Sequence, residues 1–294
     1  MKVRVPASSA NLGPGFDVLG LALSIYVTVE VNEAESLSIV SSGFGCDVPN
    51  NASHLAAVVA QEVLGHSNVS IEIDSQIPLA RGLGSSAALS VAVAGACGAY
   101  DAFVVGSDFD GHCENAAASY FGGLVAGSRV GDSWEAISIP IDPRYGVIIV
   151  VPEIEIPTKD ARAVLPKSIA FGDAVFNLGR MALLMGGLAN IEAMRFEFGE
   201  DKLHEPYREV IFPGAITIKE ILGDNGALLA TWSGAGSSMI GLFDRYDIAT
   251  SISTIRDELA SANVAAEVFD VAIDTEGICF LEDLDDPDDL DDRS

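Results

Sequence analysis

The chain has 294 residues, long enough for one large domain or two small ones, and its 49% hydrophobic content excludes a chain disordered throughout. Asp and Glu number 43 against 16 Lys and Arg, a net charge of −27, and a surface of that sign repels nucleic acid and anionic membranes, so both are rejected as partners. No run of about 18 uncharged apolar residues offers a membrane span, and Met-Lys-Val-Arg-Val-Pro at the start lacks the apolar core of a secretory signal, so a cytoplasmic location is expected.

Lys2, Lys159, Lys167, Lys202 and Lys219 are the only lysines. Acidic excess with few lysines is how proteins of salt-accumulating organisms look, because high ionic strength screens the self-repulsion. A halophilic archaeon is the expected source. Cys46, Cys97, Cys113 and Cys279 form no Cys-x-x-Cys pair and read as free thiols rather than as a metal site or disulfides.

In chain order, 3–5 reads as a strand that breaks at Pro6 and runs into Ser9-Ala10-Asn11-Leu12-Gly13-Pro14-Gly15-Phe16-Asp17. Two glycines and a proline force a tight turn there, with Asn11 and Asp17 at its shoulders either closing the turn or facing a ligand. Residues 25–31 and 37–40 alternate as antiparallel strands. A helix is expected at 53–64, with Asn51 or Ser53 as cap and Gly65 as stop.

The strand at 69–73 leads into Pro78-Leu79-Ala80-Arg81-Gly82-Leu83-Gly84-Ser85-Ser86-Ala87-Ala88, which opens a buried helix over 87–99. A helix start carries unpaired N–H groups and the positive end of the helix dipole, so a phosphate sits there at little cost. Gly82 and Gly84 remove side chains that would block its approach, and Ser85 and Ser86 add hydroxyls for a phosphate oxygen or its metal ion. The loop reads as a nucleotide cradle; a serine-capped glycine turn is the plainer alternative. It is neither a Gly-Lys-Ser/Thr phosphate loop nor the Gly-x-Gly-x-x-Gly of dinucleotide folds.

Further on come His112-Cys113-Glu114-Asn115 and a strand pair at 136–141 and 146–151. Pro157-Thr158-Lys159-Asp160-Ala161-Arg162 follows, where Thr158 reads as a helix cap. Apolar helices at 173–189 and 190–198 are placed in the core. His204-Glu205-Pro206-Tyr207-Arg208 precedes a helix at 215–222. Strands at 227–231 and 239–243 flank Ser233-Gly234-Ala235-Gly236-Ser237-Ser238, and a helix at 248–259 and a strand at 265–273 complete a mixed unit. The expected fold is α+β in two domains, 1–145 and 146–281, with an acidic tail at 282–294 and a site in the cleft between glycine turns drawn from both halves.

The string from Pro78 to Ala88 resembles the ATP-binding signature of the GHMP kinases, the small-molecule kinases of galactose, homoserine, mevalonate and phosphomevalonate. Ser9 to Asp17, His112 to Gly123, Thr158 to Arg162, Glu205 to Arg208 and Ser233 to Ser238 resemble further segments of that family in the family's order, and three of them are similar to homoserine kinases in particular. The resemblance implies a nucleotide-binding N-terminal domain and a ferredoxin-like C-terminal one. It implies ATP and Mg²⁺ as cofactors, L-homoserine as acceptor, a step toward threonine, and a homodimer. By the same resemblance, Pro78 through Ala88, Thr158, Gly234 and Gly236 hold the nucleotide, and Asn11, Asp17, His112, Asn115, Arg162 and Arg208 hold homoserine. Ser86 helps to hold the metal, and Ser86, Asn115 and Arg162 carry the chemistry. Two arginines suit an acceptor with a carboxylate.

The chain departs from the family where a second helix should bring a metal-binding glutamate, since about a dozen residues are absent between Tyr100 and Gly106. Either the ligand is lost or a loop is missing from the sequence, and the survival of every flanking motif favours the second. Asp101, Asp108, Asp110 and Glu114 are the nearby carboxylates that could substitute. The alternatives are another kinase of the superfamily, acting on shikimate or mevalonate, and a nucleotide-binding pseudo-kinase.

Overall fold

In the computed structural model residues 1–281 are described, and the acidic tail expected at 282–294 lies outside them. The first strand, β1 (Lys2–Ala10), does not stop at Pro6. Its register against β2 (Leu19–Glu33) shifts between Pro6 and Ala7, and this irregularity absorbs the residue that has no N–H to give the ladder. β2 is long enough to serve two neighbours on one side. Its start pairs with β5 (Leu124–Val130) and its end with β4 (Val69–Ser75).

The strand expected at 37–40 is β3 (Ser38–Gly43), which runs parallel to β4 at the sheet edge. It is therefore not the hairpin partner of β2, because β4 lies between them. A parallel pair needs a crossover, and α1 (Leu55–Leu64) supplies it. His54 caps α1 by accepting the Ala56 amide on Nδ1 at 3.1 Å, while Asn51 closes the preceding turn onto Ser53. Gly65 stops the helix at φ 75°.

Three helices cover the site side of this half: α2 (Ser85–Ala96), α3 (Ala102–Asp110) and α4 (Glu114–Phe121). From Ala87 to Ala96 every residue of α2 but Leu89 is buried, which explains its run of Ala, Val and Gly. The connection at 97–101 is short, and α3 begins at once. β6 (Ser133–Ile139) pairs with β5 rather than with the next strand, so the expected pair at 136–141 and 146–151 is divided between two sheets.

The second sheet begins with β7 (Tyr145–Pro152), buried along its whole length, as its unbroken apolar run requires. After it come α5 (Thr158–Ala163), α6 (Phe171–Ala189), α7 (Glu205–Arg208) and α8 (Gly214–Asp224), then β8 (Leu229–Trp232), β9 (Met239–Asp244), α9 (Ile248–Ser261) and β10 (Ala266–Val271). The antiparallel order β10-β7-β9-β8, with α8 and α9 packed on it, is the ferredoxin-like arrangement in a mixed α+β fold. Residues 190–198 are not a helix but two 3₁₀ turns, Ile191–Ala193 and Phe196–Gly199. Nor is α6 wholly in the core, since one of its faces is open to solvent.

The chain then returns to the first half. Ile273 bridges to Leu23, and β11 (Cys279–Leu281) pairs with β1, so the last strand of the second half completes the sheet of the first. All four cysteines are free. Among the described residues no helix is long and apolar enough to cross a membrane.

Candidate active site

Three glycine turns, one from each of three distant parts of the chain, are bonded to one another. The Gly234 amide donates to the Ala10 carbonyl at 3.0 Å, and Asn11 Nδ2 donates to the Gly234 carbonyl at 2.8 Å. Ser233 Oγ donates to the Gly82 carbonyl at 2.7 Å and lies 2.9 Å from Ser9 Oγ. Ser238 N donates to the Arg81 carbonyl. The backbone is held in costly conformations to do this: Asn11, Leu12, Asp17 and Ala80 all have positive φ without being glycine.

At Gly82 the absence of a side chain is required. Its φ is 71°, and an added Cβ would lie 2.0 Å from the Ser233 carbonyl oxygen. Gly82→Ala should therefore separate the cradle from the second half and cost on the order of 3 kcal/mol, from left-handed strain and overpacking together. Denaturant unfolding with and without nucleotide checks this.

These turns enclose a cleft of about 240 Å³. Of the residues named from sequence, Asn11, Asp17, Ala80, Gly82, Leu83, Gly84, Ser85, Ser86, His112, Asn115, Thr158, Arg162, Arg208 and Gly234 all line it. Pro78, Leu79, Arg81, Ala87, Ala88 and Gly236 do not line it. Arg81 instead ties the loop to the second half through the Glu153 carbonyl at 2.8 Å and the Glu155 carboxylate at 3.3 Å. Ala87 and Ala88 point into the core. Thr158 is the first residue of α5, not its cap, because Pro157 occupies that position.

The cleft faces the start of α2. Its N-cap is Gly84, which offers no side-chain acceptor, so the first-turn amides have no capping partner. Ser85 and Ser86 also line an adjoining, mainly apolar cavity of about 200 Å³, walled by Val27, Phe44, Val48, Leu55, Ile73 and Leu89 with His54 at its side. A polar anion seat and an apolar slot thus share one helix end. Leu79, Ser85 and Ser86, named from sequence, line this slot, while its other walls come from several separate elements and carry no motif.

Arg162, from α5, holds Asp17 with both terminal nitrogens, Nη2 to Oδ1 at 2.7 Å and Nη1 to Oδ2 at 3.0 Å. Both side chains are about one-third exposed, at 36% and 33%. Arg208 is different, being only 2% exposed. It donates through Nη1 to the Gly234 carbonyl at 2.7 Å and to His204 Nδ1 at 3.0 Å, while its Nε has no partner. Burial, with Arg162 nearby, lowers its pKa to about 10. Both guanidinium groups lie near the Phe16 ring, that of Arg162 at 5.7 Å and that of Arg208 at 5.5 Å from its centre.

His204 is fully buried, stacked on Phe16, with Nε2 2.8 Å from the Gly13 carbonyl. As Nδ1 accepts from Arg208, Nε2 carries the proton and the ring is neutral; burial holds its pKa below the ordinary 6.5. A depressed histidine pKa means that the unfolded chain binds more protons, so stability is lost as pH falls through about 6.5. His54 has the same sign, and His112, raised, the opposite. His204→Gln should flatten the fall in Tm between about pH 6.5 and 5, as thermal melts across that range would show.

α3 ends at Asp110, which lines the cleft together with Ser86 and has its pKa raised by burial. A carboxylate therefore reaches the cradle through the short connection, without a longer loop. Next to it, His112 Nδ1 lies 2.8 Å from Glu114 Oε1, and Glu114 Oε2 is buried with no partner. Burial alone would lower the His112 pKa, but Glu114 overrides it and the net shift is upward. Asn115 accepts from Ser8 Oγ at 2.9 Å, which places its amide against Gly84. No three acidic, His or Cys side chains gather as a metal cage among the described residues. Ser86 and Asp110, which line one cleft, supply oxygens of the kind that fit Mg²⁺, an ion that takes one or two protein ligands and fills the rest of its shell with phosphate and water.

Family signatures match on both sides of this cleft, the GHMP kinases N terminal domain over 50–123 and the GHMP kinases C terminal domain over 181–264. Homoserine kinase of Solibacter usitatus is 37% identical over 83% of this chain and 85% of its own. That of Desulfitobacterium hafniense is 32% identical over 96% of this chain and the whole of its own. The chain belongs to the homoserine kinase family. The crystal structure of homoserine kinase from Cytophaga hutchinsonii superposes with a TM-score of 0.83 at 28% identity, over 96% of this chain and 97% of that one.

Proposed function

We propose that this chain transfers the γ-phosphoryl group of ATP to the hydroxyl of L-homoserine, giving O-phospho-L-homoserine. The observation that carries the reading is the Asp17–Arg162 pair beside the start of α2. An amino acid brings one ammonium and one carboxylate, and the pair offers the complementary charges at the same spacing. Homoserine exchanges partners with it, its carboxylate taking Arg162 and its ammonium taking Asp17. The buried Arg208 supports the carboxylate end and keeps the Gly234 turn in place.

The uncapped amides of α2 and the Ser85 and Ser86 hydroxyls receive the phosphates, and the apolar slot beside them receives the base. Ser86 and Asp110 would hold Mg²⁺, with Glu114 behind them; the ion, when bound, neutralises charge on the phosphates. Phosphoryl transfer needs mainly alignment and charge neutralisation. Asn115, fixed by Ser8, orients the acceptor, and no side chain here is assigned as a dedicated base. The reading includes a cytoplasmic setting rich in salt, as in a halophilic archaeon, supported by the charge of −27 and the scarcity of lysine.

The test is Mg²⁺-dependent ADP release in molar KCl with L-homoserine, shikimate and mevalonate supplied separately. Turnover with homoserine alone is expected. Turnover with another acceptor overturns the substrate, and ATP binding without any turnover makes the chain a pseudo-kinase.

A further inference from the structure

α7 is four residues long, too short to hold its own place, since so short a helix is stable only through what it packs against. Two buried carboxylates fix it. Asp201 Oδ2 accepts the amides of Leu203, His204 and Glu205 at 3.0, 2.7 and 2.8 Å, closing the start of the turn. Glu205, 3% exposed, reaches sideways: Oε1 accepts the Trp232 amide at 3.1 Å, and Oε2 accepts Lys219 Nζ, from α8, at 2.7 Å. The Trp232 amide needs such a partner. β8 is the outer strand of its sheet, and Ser233 N turns inward to the Ser238 carbonyl. By alternation Trp232 N turns outward, where no further strand follows among the described residues. Trp232 is 1% exposed, so an unpaired amide there would be costly.

We propose that Glu205 is a positioning residue of the reaction: by tying Trp232 to α7 it sets Arg208 against the Gly234 turn, and with it the carboxylate end of the acceptor site. The inference rests on the homoserine reading above. Glu205 and Arg208 stand one turn apart on the same face of α7. They grip successive parts of one loop, Glu205 at the Trp232 amide and Arg208 at the Gly234 carbonyl, 2.7 Å away. That carbonyl also accepts from Asn11 Nδ2, so a drift of α7 reaches both residues that face the acceptor. Arg208 lines the cleft and serves the substrate as well as the turn, whereas Glu205 does not line it and is free to act as a fixed anchor. A carboxylate suits the place because it only accepts, taking an amide and an ammonium at once with no donor of its own left over. Lys219 compensates its charge, as a buried carboxylate requires. The start of α2 and the apolar slot belong to the first half, so ATP should feel Glu205 much less than homoserine does.

Steady-state kinetics of the full chain in molar KCl tests this. Glu205→Gln keeps the shape and one acceptor for Trp232 but turns an amide N–H against Lys219. KM for L-homoserine should rise about tenfold, while KM for ATP and kcat each change less than about threefold. Adding Lys219→Glu gives that N–H an acceptor, and the double variant should return KM for homoserine to within about threefold of wild type. A side chain that merely filled space would not respond to the second change. Circular dichroism shows whether each variant folds. Should Glu205→Gln fail to fold, Lys219→Met, at a side chain 25% exposed, loosens the same link and should raise KM for homoserine about threefold. Hydrogen exchange of the Trp232 amide without substrates, expected about tenfold faster in Glu205→Gln, reads the link apart from turnover. Unchanged exchange overturns the inference whatever the chain phosphorylates. So do an equal rise in both KM values, a double variant no better than Glu205→Gln, or an unchanged KM in Lys219→Met. A wild type that takes another acceptor overturns the homoserine reading alone, and exchange together with KM for that acceptor then decides the role of Glu205.

Discussion

Replacing Arg162 by alanine should lower kcat/KM for L-homoserine about a thousandfold, equivalent to about 4 kcal/mol of lost transition-state binding, with little change in Tm. Arg162 sits on a six-residue helix at the cleft edge and is 36% exposed. Its partners are Asp17 and the face of Phe16, so the core does not depend on it. Two effects add in the variant. The homoserine carboxylate loses a two-pronged donor, and it must then lie beside an Asp17 carboxylate that nothing neutralises. Lysine should restore little, because one ammonium cannot reproduce the planar fork. The loss should fall mainly on KM if Arg162 binds ground and transition states alike, and steady-state kinetics on both substrates separates the two. Unchanged kcat/KM would remove Arg162 from the site.

The local elements were legible where one periodicity dominated. The α2 helix, the buried β7 and the β8–β9 hairpin around Gly234 all follow from apolar runs and turn residues. Neighbour relations were not legible. Nothing in 37–40 says that β4 will come between β3 and β2, since pairing partners are chosen by tertiary burial and not by the strand itself. Pro6 suggested a strand end, yet a register shift accommodates it, an outcome that depends on the facing strand. In the site, the charged and polar motif residues were assigned roles and their packing neighbours were not. Phe16 and His204 stand inside two of those motifs yet were given no role, because they act by stacking and by a buried hydrogen bond, which leave no signature in spacing. Helix α6 reads as core from composition alone, yet Phe171, Val175 and Leu178 are exposed, because apolar content does not say which face meets the core.

Asp110 shows the same limit from the opposite side, and replacing it should have the second large effect. Asp110→Asn should lower kcat on the order of a hundredfold, about 2.7 kcal/mol, and raise the Mg²⁺ concentration needed for half-maximal activity about tenfold. The substitution keeps the shape of the side chain beside Ser86 while removing the charge, so packing at the end of α3 should survive. Asp110, His112 and Glu114 line the same cleft across the break between α3 and α4, and the contact between the last two holds the buried Glu114 carboxylate in place. With Asp110 neutral, Glu114 is the carboxylate left beside the cradle, and its Oε2 has no partner among the described residues. A partial loss is therefore expected, not a complete one. Ser86→Ala should be milder, as a hydroxyl contributes less than a charge to a hard cation. Mn²⁺ binding followed by electron paramagnetic resonance in the presence of ATP reads the site without turnover. Equal Mn²⁺ affinity in Asp110→Asn and wild type would show that the cation is held by phosphate and Glu114 alone, and the short connection after α2 would then have cost the chain its family ligand.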